Sequence, residues 1–358
     1  RTGAGARTWC GGVSAAGAGG EELIGGGRTG AARWMCNPDA QGKCARLTPP
    51  PPGPGLTKRD QTTSVGWKPA PGRRGLIVAS SAWQDGATNA PAILDLDFKN
   101  GTWTPGSAPT FANTAGPMAL ADVNGDGTLD LFVGGRVRPG RYPEPASSAL
   151  YLNKDGRLER DAWADAVFKN LGLVTGAVFS DLNGDGQPDL AVTCEWGPVR
   201  VFLNTHGIFT EATESLGLAG LTGWWTGIAA GDIDGDGRMD LVVGNWGLNT
   251  PYEASARTPA RLFYGDFTGQ GGVDMIEAYD PPELGKTVPM RNLPFLAASL
   301  PYLRGRFSEN RAFPGSVVPG VCGDRLAAAR HLLSAARALP PFHNPCDPLA
   351  DRALPPQL

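Results

Sequence analysis

The sequence contains very little histidine, with only 3 in 358 residues. They stand at His206, His331 and His343, and none lies near another at the spacing of a metal-binding helix. No G-x-S-x-G motif, no H-E-x-x-H motif and no C-x-x-C pair occurs. Because these are the signatures of α/β-hydrolases, zinc proteases and thioredoxin-like redox proteins, the chain is not expected to be an enzyme of those classes.

Long hydrophobic runs and an excess of basic residues in the centre of the chain are also missing. No stretch approaches the 18 or so consecutive apolar residues of a membrane-spanning helix, so no transmembrane segment is predicted. Residues 64–306 carry 19 Lys and Arg against 27 Asp and Glu. This acidic balance is the opposite of what a phosphate backbone attracts, so nucleic acid is not expected as a partner.

Glycine and proline, in contrast, are abundant, with 51 and 32 residues. The chain divides into three zones. Residues 1–63 contain a proline run and little apolar periodicity, so they are predicted to be disordered or to form a linker. Residues 64–306 are repetitive, and residues 307–358 form a tail with one candidate helix at 324–339.

One acidic pattern, D-x-[DN]-x-D-G-x-x-D, occurs three times in the central zone. The copies begin at Asp122, Asp181 and Asp232, so the steps are 59 and 51 residues. A second landmark follows the first two copies, "YLNKDGRL" at 151–158 and "FLNTHGIF" at 202–209, 51 residues apart. A turn-rich insertion accounts for the longer step. The underlying unit of about 50 residues is typical of propeller blades or solenoid repeats.

Inside each unit the hydrophobic pattern is that of β-strands. "LDLFVGG", "PDLAVTC" and "MDLVVGN" follow the three acidic loops, and no amphipathic helix intervenes. Weaker units lie at 74–103 and 265–279. The sequence therefore predicts an all-β fold, a β-propeller of about four or five recognisable blades with disordered or irregular termini.

The acidic pattern places oxygen ligands at positions 1, 3, 5 and 9, and the backbone carbonyl of position 7 adds a fifth. Hard oxygen donors without His or Cys favour Ca²⁺. An Asx-rich turn explains a single copy, but three copies in register favour a metal loop. An EF-hand would need Glu at position 12, which is Val133, Val192 and Val243 here. About three calcium sites are predicted, and loop three is expected to respond most because it has four carboxylates.

A fourth loop keeps the glycines of the pattern but has lost most of its charge. It offers Asp266, Thr268, Gln270 and Asp274, of which two are neutral. This degraded loop is expected to be weak or empty.

The loops and the segments leading into them, "GAVFSD" and "GIAAGD", resemble FG-GAP/VCBS repeats, the blades of integrin-α-like propellers. The resemblance covers roughly residues 64–290. Propellers of this family usually close with about seven blades, so an incomplete propeller is the alternative to a smaller closed one. Carried over position by position, the resemblance implies calcium ligands at Asp122, Asn124, Asp126, Thr128 (carbonyl) and Asp130; Asp181, Asn183, Asp185, Gln187 (carbonyl) and Asp189; and Asp232, Asp234, Asp236, Arg238 (carbonyl) and Asp240.

The same resemblance implies an extracellular, periplasmic or cell-surface protein that acts as a binding or adhesion module for a protein or glycan ligand. Two alternatives remain open at this point: a propeller-based lyase or hydrolase acting on polysaccharide, and a purely structural repeat region of a larger secreted protein. Glu195, Trp196, Trp246 and the "GWW" at 223–225 have two interpretations, packing at a blade edge or an aromatic rim that stacks on a sugar or peptide.

Overall fold

In the computed structural model, most regular secondary structure consists of strands in antiparallel sheets, which confirms the predicted all-β class. Four short strands are described between residues 10 and 47. The other described residues are 59–70, 72–81, 92–99, 102–246, 254–255, 257–307, 313, 317–323, 326 and 329–335.

The N-terminal zone contains one small sheet. Its strands are β1 (Cys10–Val13), β2 (Glu22–Gly25), β3 (Trp34–Pro38) and β4 (Cys44–Leu47), paired antiparallel in sequence order. The remainder of this zone up to residue 58 lies outside the described residues. The predicted disorder of residues 1–63 therefore stays a prediction.

Two four-stranded meanders follow, and in both the consecutive strands are neighbours. The repeats begin at Gln61, slightly before the predicted boundary at residue 64. The first meander comprises β5 (Gln61–Trp67), β6 (Arg74–Ser80), β7 (Ile93–Lys99) and β8 (Thr102–Pro105), and the second β9 (Thr114–Ala121), β10 (Asp130–Val137), β11 (Ala149–Lys154) and β12 (Arg157–Arg160).

After the short helix α1 (Ala162–Val167), the next repeat contains β13 (Leu173–Ser180), β14 (Asp189–Thr205) and β15 (Ile208–Glu211). Straight strands of the length of β14 would separate their ends by roughly 50 Å. The backbone N–H of Asn204 nevertheless donates to the carboxylate of Asp189 at 2.8 Å. β14 therefore doubles back on itself as a hairpin. The reversal lies at Trp196, whose φ of 58° is the left-handed value that tight turns require.

The remaining repeats contain β16 (Thr222–Gly231), β17 (Asp240–Asn245), β18 (Ala260–Gly265), β19 (Asp274–Tyr279) and β20 (Val288–Pro289). β16 pairs with β17, and the sheet order β20-β19-β18 is completed by β21 (Arg330–Ser334). Short helices α2 (Leu293–Ser299), α3 (Leu303–Arg306) and α4 (Val318–Cys322) precede β21.

The helix predicted over 324–339 is wrong for Arg330–Ser334, which form β21. All five residues pair antiparallel with β18, from Arg330 opposite Tyr264 to Ser334 opposite Ala260. An isolated helix of this length is marginal in water. Backbone hydrogen bonds to the edge of an existing sheet outweigh that weak local preference.

Contacts divide the chain into two units, each with its own hydrophobic core. The first comprises Arg1–Gly140, Glu144–Val192 and Val201–Glu211, and the second Arg141–Pro143, Thr193–Arg200 and Ala212–Leu358. The core of the first unit is built from the inward faces of its meanders, including Trp67, Ile77, Leu131 and Tyr151. The second unit packs Phe267 and Ile276 against α2 and α4, including Leu296 and Val321.

The first meander contains a buried carboxyl group, that of Asp95. Asp95, on β7, is 3% exposed and accepts a hydrogen bond from Nε1 of Trp67 at 3.3 Å. Burial, reinforced by the like charge of Asp97, raises the pKa of Asp95 to about 6. The folded state therefore binds the carboxyl proton of Asp95 more tightly than the unfolded chain does. The contribution of this proton to the stability of the fold is fully present below about pH 4, and it is lost as the pH rises through 6.

We expect Asp95→Asn to be more stable than the parent chain at pH 8, by up to about 3 kcal/mol in the free energy of unfolding, because the amide keeps the Trp67 hydrogen bond without a buried charge. The gain should vanish near pH 4. Urea unfolding of both chains at the two pH values measures it. An equal difference at both values would contradict this account of the Asp95 carboxyl.

Candidate metal sites

Each acidic loop is held in shape by the carboxylate of its first aspartate. In loop one, Asp122 accepts hydrogen bonds from the backbone N–H groups of Gly125 (2.8 Å), Asp126 (3.1 Å) and Gly127 (2.8 Å). Gly127 has a φ of 85°, which explains the glycine of the motif. Loops two and three repeat this arrangement with Asp181 and Asp232 at 2.7–3.1 Å.

The last aspartate of loops one and two is buried and joins the loop to the next strand. Asp130 accepts from the N–H of Val123 within its loop (3.0 Å) and from the N–H of Asn153 on β11 (2.8 Å). Asp189 does the same with Leu182 and Asn204. Burial raises the pKa of Asp130 to about 6 and also raises the pKa of Asp189, although the backbone hydrogen bonds oppose the shift. Both carboxylates would gain from a nearby cation.

The asparagine of the second landmark connects successive repeats of the first unit. Asn204 is fully buried, and its Oδ1 accepts from the N–H of Gly207, which closes the hairpin turn. Its Nδ2 donates to the carbonyl oxygen of Val123, inside loop one, at 2.9 Å. Asn153 has the same two partners one repeat earlier, Gly156 and the carbonyl of Pro69. The sequence repeat revealed this position but not its role.

The side chain at position 7 of loops one and two also reaches the landmark turn. Thr128 donates through Oγ1 to the carbonyl of Asn153 at 3.2 Å. Gln187 accepts through Oε1 from the N–H of His206, which lies in the turn between β14 and β15. These contacts hold each loop beside the landmark turn. They use the side chains at position 7, whereas the predicted metal ligand at this position is the backbone carbonyl oxygen.

Loop three, in the second unit, brings three carboxylates together. Oxygen atoms of Asp232, Asp234 and Asp240 lie within 4.8 Å of one another, the only such group of three acidic, His or Cys residues in the described part of the chain. Two oxygens bound to one Ca²⁺ at about 2.3–2.6 Å can be at most about 5.2 Å apart, so the spacing fits this ion.

The fourth carboxylate of loop three is engaged differently. Asp236 forms an ion pair with Arg238, whose Nη2 lies 2.7 Å and whose Nε lies 2.9 Å from Oδ2. Position 7 is neutral in the other two loops, so this ion pair is specific to loop three. The Arg238 guanidinium therefore offsets part of the negative charge of the fourth carboxylate, which loops one and two lack.

The degraded fourth loop keeps its backbone hydrogen bonds despite its altered side chains. Asp266 accepts from the N–H groups of Gln270 (2.9 Å) and Gly271 (2.8 Å), and Asp274 accepts from Thr268 (2.8 Å). The loop fold therefore needs only the first and last aspartates. In the other loops the carboxylates at position 5 accept hydrogen bonds from position 7 of their own loop, and Asp236 is also paired with Arg238.

Five polar and aromatic residues of the second unit form a separate cluster. Trp224 and Trp246 are stacked, with ring centroids 3.8 Å apart and an interplanar angle of 11°. The ring centroids of Trp196 and Trp224 are 4.9 Å apart, and Nε1 of Trp196 donates to the hydroxyl of Tyr142 at 3.2 Å. Tyr142 donates in turn to Oε1 of buried Glu195. Sequence patterns pointed to the tryptophans and Glu195, whereas Tyr142 lies in the insertion and carried no signal.

The family described as FG-GAP-like repeat matches residues 181–243, which contain loops two and three. Integrin alpha-7 of Rattus norvegicus is 31% identical over 143 residues, 36% of this chain and 12% of that protein. Cartilage acidic protein 1 of Homo sapiens is 27% identical over 146 residues, 39% of this chain and 22% of that protein. The chain therefore carries FG-GAP repeats and is integrin-α-like, as its loops predicted.

The matched segment covers only a small share of these relatives, 12% and 22% of their length. Among solved structures, RS223-Beta-xylosidase aligns with 75% of this chain and 91% of that chain, at 13% identity and a TM-score of 0.36. No functional inference follows from a similarity of this size. In the described part of the chain, no helix is long and apolar enough to cross a membrane.

We expect Asn204→Ala to lower the free energy of unfolding by about 2–4 kcal/mol, because it leaves the half-buried N–H of Gly207 and the buried carbonyl of Val123 without their partner. Thr210→Ala, an exposed change on β15, is the matched control and should cost well under 1 kcal/mol. Denaturant unfolding followed by fluorescence measures both. Similar losses for the two variants would contradict the connecting role of Asn204.

Proposed function

We propose that this chain is an extracellular or cell-surface binding module whose FG-GAP repeats are stabilised by Ca²⁺ in their acidic loops. The observation that carries this proposal is the carboxylate group of loop three, where Asp232, Asp234 and Asp240 place oxygens within 4.8 Å. The similarity to integrin alpha-7 and the FG-GAP-like repeat match over residues 181–243, which contain loops two and three, support the proposal.

The donor set of each loop fits a hard divalent cation. All predicted side-chain ligands are carboxylate or amide oxygens, and one face of each loop is already fixed by backbone hydrogen bonds to the first aspartate. In loop three, Asp232, Asp234 and Asp240 would hold the ion together with the carbonyl of Arg238. In loops one and two an asparagine, Asn124 or Asn183, takes the place of Asp234. A bound cation would neutralise charges that are otherwise close together.

Calcium in these loops would serve stability more than chemistry. Extracellular calcium modules bind with Kd of roughly 10⁻⁴–10⁻³ M. At about 1 mM calcium, three such independent sites would stabilise the fold by about 1–4 kcal/mol, a sizeable share of a typical stability of about 5–15 kcal/mol. The module would be rigid in a calcium-rich compartment, where it presents its surface to a protein or glycan partner.

We expect Asp234→Asn to weaken calcium binding by about tenfold at one site. The variant keeps an oxygen that can accept from the N–H of Asp236 but removes one negative charge from the carboxylate group. Isothermal titration calorimetry with CaCl₂ measures the affinity, and melting curves with calcium and with chelator measure the stabilisation.

Asp155→Asn is the matched control, because it removes one charge from a turn outside the loops. Its φ of 52° is one that asparagine tolerates. Its calcium affinity should equal that of the parent chain. Identical melting curves of the folded parent chain with calcium and with chelator would refute the metal assignment.

Arg238→Gln should strengthen calcium binding in loop three by several-fold. The change removes a cation that is paired with Asp236 and leaves the backbone carbonyl in place. Gln is the residue that loop two has at this position, Gln187, so the loop is expected to keep its fold. The same titrations test this change. Weaker binding in Arg238→Gln than in the parent chain would show that the guanidinium supports the site instead of opposing it.

A further inference from the structure

Trp224 and Trp246 form a flat aromatic platform at the surface of the second unit. Their rings are nearly parallel, 11° apart, and Trp246 is 43% exposed although one of its faces is covered by Trp224. Aromatic side chains of this kind bury about 150–250 Å² when fully covered, so a ligand could still cover roughly 60–110 Å² of Trp246. This exposed surface is mainly that of an apolar indole ring.

A hydrogen-bonded chain of buried groups supports the platform. Glu195 is 5% exposed and accepts the hydroxyl proton of Tyr142. That hydroxyl accepts from Nε1 of Trp196, and the ring of Trp196 packs on Trp224 at a tilt of 47°. These hydrogen bonds fix the ring of Trp196, on which Trp224 packs, before any ligand arrives, so little conformational entropy is lost on binding.

The backbone at Trp196 is strained in order to place its ring. Trp196 has a φ of 58° at the reversal of the β14 hairpin, a conformation that is a genuine outlier for a bulky residue. The next residue is Gly197, whose φ is not positive, so the residue best suited to this conformation stands one position away. Strain of this kind persists where the surrounding contacts require it and is concentrated at binding sites.

We propose that this platform, Trp224 and Trp246, binds one ring of an uncharged glycan. The C–H face of a pyranose is flat, apolar and similar in area to an indole, and its hydroxyl groups point outward at the ring edge. Trp246 takes the apolar face of the sugar. Tyr142, Glu195 and Trp196 are positioning residues, because they act through the ring of Trp196, which packs on Trp224. The proposal rests on the binding role of the module and specifies the ligand class.

Two observations favour an uncharged sugar over other ligands. The rings of Trp224 and Trp246 are parallel and do not enclose a volume, whereas aromatic sites for methylated ammonium groups surround the cation. Residues 64–306 carry more acidic than basic residues, which disfavours sulfated or other anionic glycans.

The test uses the full chain in millimolar calcium and a fixed panel of neutral hexasaccharides of glucose, xylose, mannose, galactose and N-acetylglucosamine. Calorimetry and tryptophan fluorescence measure binding to the parent chain, Trp246→Ala and Trp163→Ala. Trp163, on α1, is 89% exposed and serves as a matched control outside the platform. We expect at least one hexasaccharide to bind, with affinity reduced about tenfold or more in Trp246→Ala and unchanged in Trp163→Ala.

Three results would overturn the glycan proposal: no binding by any hexasaccharide, undiminished binding in Trp246→Ala, or binding of choline or heparin in place of the neutral sugars. Tyr142→Phe adds a second measurement, and it should weaken binding while the chain stays folded. The calcium response of the melting temperature should be the same in all three variants. Loss of glycan binding with that response intact would overturn the platform alone, and loss of the response in the parent chain would overturn the proposed calcium module.

Discussion

The buried aspartate at the end of each acidic loop is the interaction on which the repeats of the first unit depend. Asp130 and Asp189 each accept one backbone hydrogen bond from their own loop and one from the strand that follows. The strand residue that donates is the landmark asparagine, whose amide closes the next turn and reaches back to the preceding repeat. In each of these two repeats, one carboxylate and one amide therefore add polar links between loop, hairpin and neighbouring repeat to the apolar contacts of the core.

This arrangement separates the shape of a loop from its charge. The degraded loop at Asp266 keeps the backbone hydrogen bonds of its first and last aspartates after losing the carboxylates between them. A sequence can therefore gain or lose cation affinity at positions 3 and 5 while the hairpin remains intact. Loop three shows a third state, in which a carboxylate is present but is paired with Arg238. The number of acidic residues in a loop is thus an incomplete measure of the net charge that it would offer to a cation.

The β14 hairpin connects this repeat chemistry to the aromatic platform. Its base carries Asp189 and Asn204, and its turn carries Glu195 and Trp196, so one short segment serves both sites. In the preceding repeat the equivalent turn is replaced by the longer insertion that contains Tyr142. This insertion makes the first repeat longer than the second. It also contributes the Tyr142 hydroxyl that bonds to Glu195 and Trp196. Variation between repeats thus generates a specific surface on a uniform scaffold.

The sequence by itself determined the all-β class, the position of the three acidic loops and the relation to FG-GAP repeats, because each depends on local periodicity or on ligands within nine residues. Tertiary structure alone decided the rest. Residues 330–334 form a strand and not a helix because β18 offers them an edge to pair with. Tyr142 meets Glu195, 53 positions away, because the fold brings them together. Contacts between distant residues leave no periodic trace in a single sequence, since each partner is compatible with many other neighbours.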